Sequence, residues 1–156
     1  LGSLLILVAE FWLRKMAKAK EPSPVNSENL TLKNAFLIGI FQTLALFPGF
    51  SRSGSTISGG LLFGLNREES ARFSFLLSVP IVLGAGLYQL TKVFSGYGEL
   101  SVAAFFWKEA AVGILTSFIA GILCIKFLMK FLKNNSLIPF VIYRVFLAIF
   151  LLIFLF

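Results

Sequence analysis

A short polar segment interrupts an apolar part of the chain and carries the residue types that bind phosphate. Residues 48–56 read Pro-Gly-Phe-Ser-Arg-Ser-Gly-Ser-Thr and place four hydroxyl groups and one guanidinium within six residues. The planar fork of Arg52 matches two phosphate oxygens, and Gly49 and Gly54 allow a tight turn with exposed backbone N–H groups. A helix that begins near Ser55 adds the positive end of its dipole. The segment therefore predicts a binding site for a phosphate or pyrophosphate group.

Arg52 and Ser51 are the pair for which a functional role is favoured. An ionisable residue inside an apolar block is typical of a functional site, and no acidic residue lies near Arg52 in the sequence. The neighbouring residues are candidates for binding the same anion, with Gln42 on the preceding half-helix as a neutral hydrogen-bond partner. These binding candidates are Ser53, Gly54, Ser55, Thr56, Gln42 and Gly49.

Helix packing is the alternative interpretation of the small residues. Gly, Ser and Thr let membrane helices approach closely, and Ser and Thr can also bond the backbone of their own helix. Packing is the favoured interpretation for Gly59, Gly60 and Gly64, whereas both interpretations stay open for Ser53 and Ser55.

The composition is typical of a membrane protein. Hydrophobic residues make up 58% and charged residues 13% of the 156 residues, against roughly 45–50% and about 25% in soluble domains. All seven acidic residues are Glu, and the chain has neither Asp nor His. These absences exclude a Ser-His-Asp triad, a His-ligated metal and an aspartyl-phosphate nucleophile built from this chain alone. Membrane topology accounts for the net charge of +7, so nucleic-acid binding is not expected.

Five apolar blocks predict how the polar segment is positioned. The first block, 1–13, is too short to cross a bilayer and precedes a basic cytoplasmic loop at 14–33, so we expect the end of a preceding helix in a longer protein. Three later blocks have the length of a membrane-spanning helix, at 67–91, 110–132 and 137–156. The expected fold class is an all-α integral membrane protein, in which residues 1–156 form a single, partial membrane domain.

The second block, 34–65, differs because its polar segment divides it into two halves. Residues 35–47 and 55–65 are each too short to cross a bilayer. Non-helical backbone survives at membrane depth only inside protein or beside a wet cavity. The economical arrangement is a re-entrant hairpin, in which one half-helix enters the membrane, the loop turns at depth, and the second half-helix leaves on the same side.

The charges of the links favour the same arrangement. Links at 14–33, 66–72 and 126–136 carry Lys and Arg, whereas the segment 92–109 has two Lys against two Glu. A re-entrant second block places the three basic links on one membrane face, in agreement with the positive-inside rule. The same arrangement places the C-terminus outside.

Other charged residues have simpler interpretations. Asn66 and Glu69 predict a capping box at the start of the third block, with Glu68 and Arg72 as a supporting pair. Glu10 lies in the opening apolar run and is expected to pair with a basic residue outside this chain. Inside the fifth block, Arg144 is expected either to reach the membrane interface or to face a partner.

The segment PGFSRSGST, with Gln42 before it and NREESARFSFLLSVP after it, closely resembles the undecaprenyl-pyrophosphate phosphatase family of bacterial membrane enzymes, also called bacitracin-resistance proteins. The resemblance runs from about residue 36 to the C-terminus. It implies a fold of two inverted repeats whose re-entrant hairpins meet in the membrane. This chain resembles the second, C-terminal half of that fold.

The resemblance also implies an activity. Family members hydrolyse a C55 polyprenyl diphosphate to the monophosphate and phosphate in the bacterial cytoplasmic membrane, which recycles the carrier lipid of cell-wall synthesis and gives bacitracin resistance. Arg52 matches the motif arginine that holds the pyrophosphate, and the motif hydroxyls match Ser51, Ser53 and Thr56. Arg52 and Ser51 are therefore the catalytic candidates.

The resemblance places the remaining chemistry in another part of the protein. The family's first half supplies an E-x-x-x-E segment and a P-x-S-S-T-G-H segment, and this chain has neither. A divalent cation, Mg²⁺ or Ca²⁺, is accordingly expected with its ligands in the missing N-terminal half and with no ligand in this chain. The expected partners are the polyprenyl diphosphate lipid, the membrane, that missing half, and a second copy in a homodimer.

Two alternative functions use the same anion site. A secondary transporter or channel also has broken, re-entrant helices, and an anion can be its cargo. A lipid-flipping protein would bind the lipid diphosphate without hydrolysing it. The histidine-dependent class of lipid phosphatases is disfavoured, because the chain has no His and no Asp.

Overall fold

The computed structural model describes residues 2–18, 30–95 and 107–155. Within these ranges the chain consists of helices and turns, with no strand, so the predicted all-α fold class is confirmed. The helices are α1 (Gly2–Lys18), α2 (Leu32–Phe41), α3 (Arg52–Leu62), α4 (Arg67–Ser95), α5 (Trp107–Asn134) and α6 (Ile138–Leu155), and a 3-10 turn (Gln42–Leu46) continues α2.

Two compact units divide the chain. The first comprises residues 1–76 and 131–156, and the second comprises residues 77–130. The second unit holds the later part of α4 and most of α5, and most of its side chains are exposed. Within it, the ammonium of Lys92 lies 4.6 Å from the centre of the Tyr88 ring.

Two helices are long and apolar enough to cross a membrane, namely α4 and the segment Lys108–Asn134 of α5. Their most apolar windows are only 6% and 0% buried, which distinguishes them from the core helices of a soluble domain. The predicted spanning helix 137–156 is observed as α6, which is apolar but shorter than these two helices. The segment Leu32–Leu46 is also apolar and shorter. The helices are compatible with a membrane protein, while the re-entrant hairpin and the inverted repeat stay predictions.

Helix α1 continues past residue 13 to Lys18, into the segment that the sequence predicts as a basic loop. Arg, Lys, Met and Ala have high helix propensity, and basic residues are favourable at the C-terminal end of the helix dipole. The rest of that loop, residues 19–29, and most of the link 92–109 lie outside the described residues.

Helix α3 is the most deeply buried helix of the first unit. Every residue from Gly54 to Leu61 is buried, and α1, α2 and the 3-10 turn all pack against it. A Cβ atom at Gly59 would lie 3.0 Å from the side chain of Phe41, whose ring meets that of Phe63 edge-on at 6.1 Å. The predicted packing role of Gly59 is therefore confirmed.

Gly60 is packed still more tightly, and replacing it should destabilise the fold. A Cβ atom there would lie 2.7 Å from the Ser70 hydroxyl and 3.2 Å from the Ser70 Cα, so α3 and α4 would have to separate. We expect Gly60→Ala to lower stability by about 1–3 kcal/mol, measured as a lower Tm in detergent. Gly39→Ala is the matched control, because no described atom beyond the neighbouring backbone of its own helix lies within 4 Å of its added Cβ. Equal Tm values for the two variants would contradict this packing.

Gly64 has a different role from the predicted one, which was helix packing. Its φ of +87° is left-handed, a conformation that costs other residues about 1–2 kcal/mol. The Leu65 N–H donates to the Gly60 carbonyl at 2.9 Å, and the Gly64 N–H donates to the Leu61 carbonyl at 3.2 Å. This is the Schellman arrangement that ends a helix, so Gly64 serves as the C-terminal stop of α3.

The start of α4 agrees in part with its predicted cap. The Asn66 side-chain oxygen accepts a hydrogen bond from the Glu69 N–H at 2.8 Å, as predicted. The predicted pair of Arg72 with Glu68 is wrong, since Arg72 lies 3.9 Å from the Glu69 carboxylate instead. Both spacings are neighbours on a helix, so sequence spacing alone does not choose between them.

A buried ion pair joins α1 to the start of α4. The Glu10 side chain is 2% exposed, and Arg67 Nε donates to its two oxygens at 2.9 and 3.2 Å while Arg67 Nη2 donates to Oε1. The Arg14 guanidinium lies 3.7 Å from the same carboxylate. The expectation that Glu10 pairs outside this chain is wrong, because its partner is supplied by Arg67.

Candidate functional site

The polar segment forms a tight turn between the 3-10 turn and α3. The Phe47 N–H donates to the Leu44 carbonyl at 3.1 Å, and the Phe50 N–H donates to the Phe47 carbonyl at 3.3 Å. Gly49 adopts a φ of +92°, which only glycine reaches without strain. We call residues 47–51 the motif loop.

Ser51 starts α3 by capping it. The Ser51 hydroxyl accepts a hydrogen bond from the Gly54 N–H at 3.2 Å, and the Ser51 carbonyl accepts one from the Ser55 N–H at 2.8 Å. The helix therefore begins at Arg52, one turn before the predicted start near Ser55. Serine is among the favoured capping residues, and its bond to Gly54 brings a polar, glycine-containing segment into the helix.

Two backbone donors remain available at this end of α3. Among the described residues, neither the Arg52 N–H nor the Ser53 N–H has a hydrogen-bond partner. Such groups carry the positive end of the helix dipole. They make the start of α3 suited to an anion.

The Arg52 side chain is half-buried, and its positive charge has no acidic partner among the described residues. In residues 2–18, 30–95 and 107–155 it has neither a carboxylate nor a hydrogen-bond partner. The carboxylates of Glu10 and Glu69 are paired with other arginines. The guanidinium of Arg52 is therefore available for an anion.

Ser51 and Ser53 add two hydroxyls beside this charge. Their Oγ atoms lie 3.3 Å apart, and both residues are half-buried. The Ser51 oxygen already accepts the bond from Gly54, so its hydrogen can be donated to Ser53 or to a bound anion.

Three of the predicted binding residues lie inside the packing of α3. Thr56 donates to the Arg52 carbonyl at 2.7 Å and lies 3.0 Å from the Ser74 hydroxyl, which links α3 to α4. Ser55 is 1% exposed, and among the described residues its hydroxyl has no partner. A Cβ atom at Gly54 would lie 3.3 Å from the Ile6 side chain.

Gln42 lies at the junction of α2 and the 3-10 turn, where its N–H donates to the Gly39 carbonyl. Its side chain is half-buried and makes no hydrogen bond within the described ranges. The structure thus brings Ser51, Arg52 and Ser53 together beside Gly49. The binding role of Gln42 stays a prediction.

Two residues beside the motif loop are not in the predicted site. The Gly2 N–H donates to the Gly49 carbonyl at 3.2 Å. The position of a Cβ atom on Gly2 lies 3.3 Å from the Ser51 nitrogen and 3.5 Å from Nη1 of Arg144. Nothing in the sequence around Gly2 indicates this contact, whereas Arg144 was visible as a charge inside an apolar block.

The described residues do not fit a metal site. They contain no group of three or more His, Cys, Asp or Glu side chains that could hold a metal ion, and Glu10 and Glu69 are engaged in ion pairs. The site can therefore bind and orient an anion through one guanidinium, two hydroxyls and backbone N–H groups.

Comparison with known protein families gives a match that covers this part of the molecule. The family model described as "Bacitracin resistance protein BacA" matches residues 1–150. The matched range includes the motif loop and helices α1 to α5. It confirms the resemblance that the motif residues carry.

Proposed function

The chain belongs to the bacitracin resistance protein BacA family, which is the family of undecaprenyl-pyrophosphate phosphatases, and we propose that it forms the phosphate-binding part of a membrane enzyme that hydrolyses undecaprenyl diphosphate. The products are undecaprenyl phosphate and inorganic phosphate. The reaction returns the carrier lipid to cell-wall synthesis and gives resistance to bacitracin. The observation that carries the proposal is Arg52 at the start of α3, whose guanidinium has no carboxylate partner within the described residues. The family model matches the part of the chain that contains it.

The residues at the start of α3 bind the diphosphate and orient it. Arg52 takes two oxygens of one phosphoryl group through its planar fork. The N–H groups of Arg52 and Ser53 and the Ser53 hydroxyl are donors for the remaining oxygens. Phosphoryl transfer depends mainly on such positioning and on neutralising the charge of the phosphate oxygens.

Ser51 has both a structural and a binding role in this proposal. Its oxygen caps α3 through the Gly54 N–H, which holds Arg52 in the first turn of the helix. Its hydrogen is donated to a phosphate oxygen. Thr56 acts indirectly, because its hydroxyl bonds the Arg52 carbonyl and lies beside Ser74 of α4.

Other groups of the reaction come from a further part of the protein. The family resemblance implies Mg²⁺ or Ca²⁺, but the described residues of this chain offer no site for it. The cation ligands and the general base belong, in this proposal, to an N-terminal half that pairs with this chain. This chain contributes the guanidinium of Arg52, which holds the diphosphate.

The proposed location is the bacterial cytoplasmic membrane, which the protein crosses several times. Helices α4 to α6 are the spanning helices, and α2, the motif loop and α3 form the re-entrant hairpin. This is supported by the short lengths of α2 and α3, since crossing a bilayer takes about 20 residues. The contact of Gly59 with Phe41 holds the two half-helices together.

Phosphate release tests the proposed function directly. Phosphate release from C55 polyprenyl diphosphate is measured in detergent with Mg²⁺ or Ca²⁺. The full-length protein, which includes the proposed N-terminal half, is compared with residues 1–156 alone. We expect phosphate release from the full-length protein only. Activity of residues 1–156 alone would make Ser51 the leading nucleophile. Inactivity of both, with lipid or anion movement across vesicles, would favour the flipping or transport alternative.

A further inference from the structure

A polar cavity lies at the start of α4 and the end of α5. Its volume is about 280 Å³, close to the roughly 300 Å³ at which small-molecule pockets begin. All of its lining residues belong to the first compact unit. They are Asn66, Arg67, Glu68, Leu132 and Lys133. Neither the motif loop nor Arg52 is part of this lining, and the chain reaches the cavity only after the whole of α3, whose 11 residues span about 16 Å.

Two opposite charges border the cavity without meeting. Glu68 is half-buried in the first turn of α4, and Lys133 is exposed in the last turn of α5. In the described part of the chain, neither the carboxylate nor the ammonium has an ion-pair or hydrogen-bond partner. A ligand that carries both signs of charge would satisfy both groups at once.

Arg67 adds phosphate donors to the same cavity. Its Nε and Nη2 hold Glu10, while its Nη1 has no hydrogen-bond partner among the described residues. The Arg67 side chain is 28% exposed and that of Glu10 only 2%, so the guanidinium holds the buried carboxylate and still borders the cavity. The backbone N–H groups of Arg67 and Glu68 are also unpaired within the described ranges and carry the positive end of the α4 dipole. Such donors suit the oxygens of a phosphate group.

We propose that this cavity binds the headgroup of a membrane phospholipid that carries both a phosphate and a primary amine. The phosphate accepts hydrogen bonds from Arg67 Nη1 and from the Lys133 ammonium, and the amine donates to the Glu68 carboxylate. A headgroup with a phosphate but no amine would leave Glu68 unpaired beside the anion, so the cavity favours the zwitterion. The cavity lies at one end of each helix that is long enough to cross a membrane, which is the depth of lipid headgroups.

The bound lipid links three helices. Arg67 already joins α4 to Glu10 of α1, and Lys133 belongs to α5. A headgroup held by both residues adds a bridge between the start of α4 and the end of α5. Because a ligand that binds only the folded protein stabilises it by mass action, the lipid should raise Tm. The site lies outside the reaction, so the proposal does not depend on the proposed function.

Two short-chain lipids test the site. The full-length protein, which includes the proposed N-terminal half, is unfolded by heat in detergent micelles with rising mole fractions of dioctanoyl phosphatidylethanolamine or of dioctanoyl phosphatidylglycerol, which has no amine. The mole fraction that gives half of the maximal rise in Tm measures the affinity. We expect the wild-type protein to bind the ethanolamine lipid roughly 10-fold more tightly. Glu68→Gln should remove this preference by weakening that lipid alone, and Lys133→Gln should weaken both lipids roughly 10-fold.

Lys130→Gln is the matched control, because Lys130 is another exposed lysine near the end of α5 and does not line the cavity. It should change neither affinity. Equal weakening by Lys130→Gln and Lys133→Gln would mean a general attraction between basic residues and lipid and would overturn the proposal. Equal affinities of the wild-type protein for the two lipids, or no rise in Tm with either, would also overturn it.

Farnesyl monophosphate, measured in the same way, distinguishes a phospholipid from a polyprenyl phosphate. If it binds more tightly than the ethanolamine lipid and Lys133→Gln abolishes that binding, the cavity serves the polyprenyl lipid and the proposal is wrong. Without lipid, each variant should have the Tm of the wild-type protein, since Glu68 and Lys133 have no ion pair within the described residues. Glu68→Gln, which changes only the selectivity, carries the test if Lys133→Gln lowers that Tm.

Discussion

Arg52→Lys should lower kcat/KM for phosphate release from undecaprenyl diphosphate by roughly 100-fold or more, the effect of removing one oriented donor from a reacting oxyanion. Lysine keeps the positive charge but presents a point charge in place of a planar fork. The two residues have similar helix propensities, so the cap formed by Ser51 and the start of α3 should be retained. The lower kcat/KM would therefore arise from the changed geometry of phosphate binding and not from a change in the helix.

A matched variant makes this measurement specific. Arg72→Lys changes an exposed arginine whose one ion pair within the described residues is with Glu69, at 3.9 Å, and it should leave both turnover and Tm close to the wild-type values. Both variants are measured in the protein that includes the proposed N-terminal half, under the conditions of the phosphate-release assay. Near-normal turnover of Arg52→Lys, with a normal Tm, would show that the diphosphate is not held by the planar fork of Arg52.

The order of the elements around the motif loop could be predicted from local sequence. Apolar blocks of sufficient length indicate long helices, and Gly and Pro at 48–49 divide the second block into two short ones. Asn66 was also predictable as the cap of α4, because a capping residue acts within its own turn. These features depend on residues that are near one another in the chain.

The start of α3 was misplaced for a local reason. Gly54 and the surrounding hydroxyls are typical of a loop, yet Ser51 caps the helix through the Gly54 N–H. The predicted loop segment 52–54 is therefore the first turn of the helix. The consequence for the site is that Arg52 lies on the helix, next to its free N–H groups.

The contacts between distant residues could not be predicted from the sequence. Glu10 and Arg67 are 57 residues apart, and Gly2 meets Arg144 across an even larger separation. The first contact joins α1 to the start of α4, and the second depends on the packing of α1 against α6. Hydropathy does not specify which apolar faces meet. The same limit applies to Thr56, whose hydroxyl lies beside that of Ser74.

The ion pair between Glu10 and Arg67 should have the second largest measurable effect, on stability. Arg67→Gln leaves a carboxylate that is only 2% exposed without its bidentate partner. Breaking a buried pair typically costs roughly 3–5 kcal/mol. Because the Arg67 side chain is 28% exposed and Arg14 remains 3.7 Å away, we expect about 2–3 kcal/mol. Thermal unfolding in detergent should show a Tm lower by about 4–12 °C.

The double variant Glu10→Gln with Arg67→Gln distinguishes the charge from the packing. If the loss arises from an uncompensated carboxylate, removing both charges should restore part of the stability, and the two single effects should not add. Glu68→Gln is the control, because Glu68 neighbours Arg67 and has no ion-pair partner in the described part of the chain. A double variant whose Tm falls by the sum of both single effects would mean that α1 is held to α4 by packing and not by this pair.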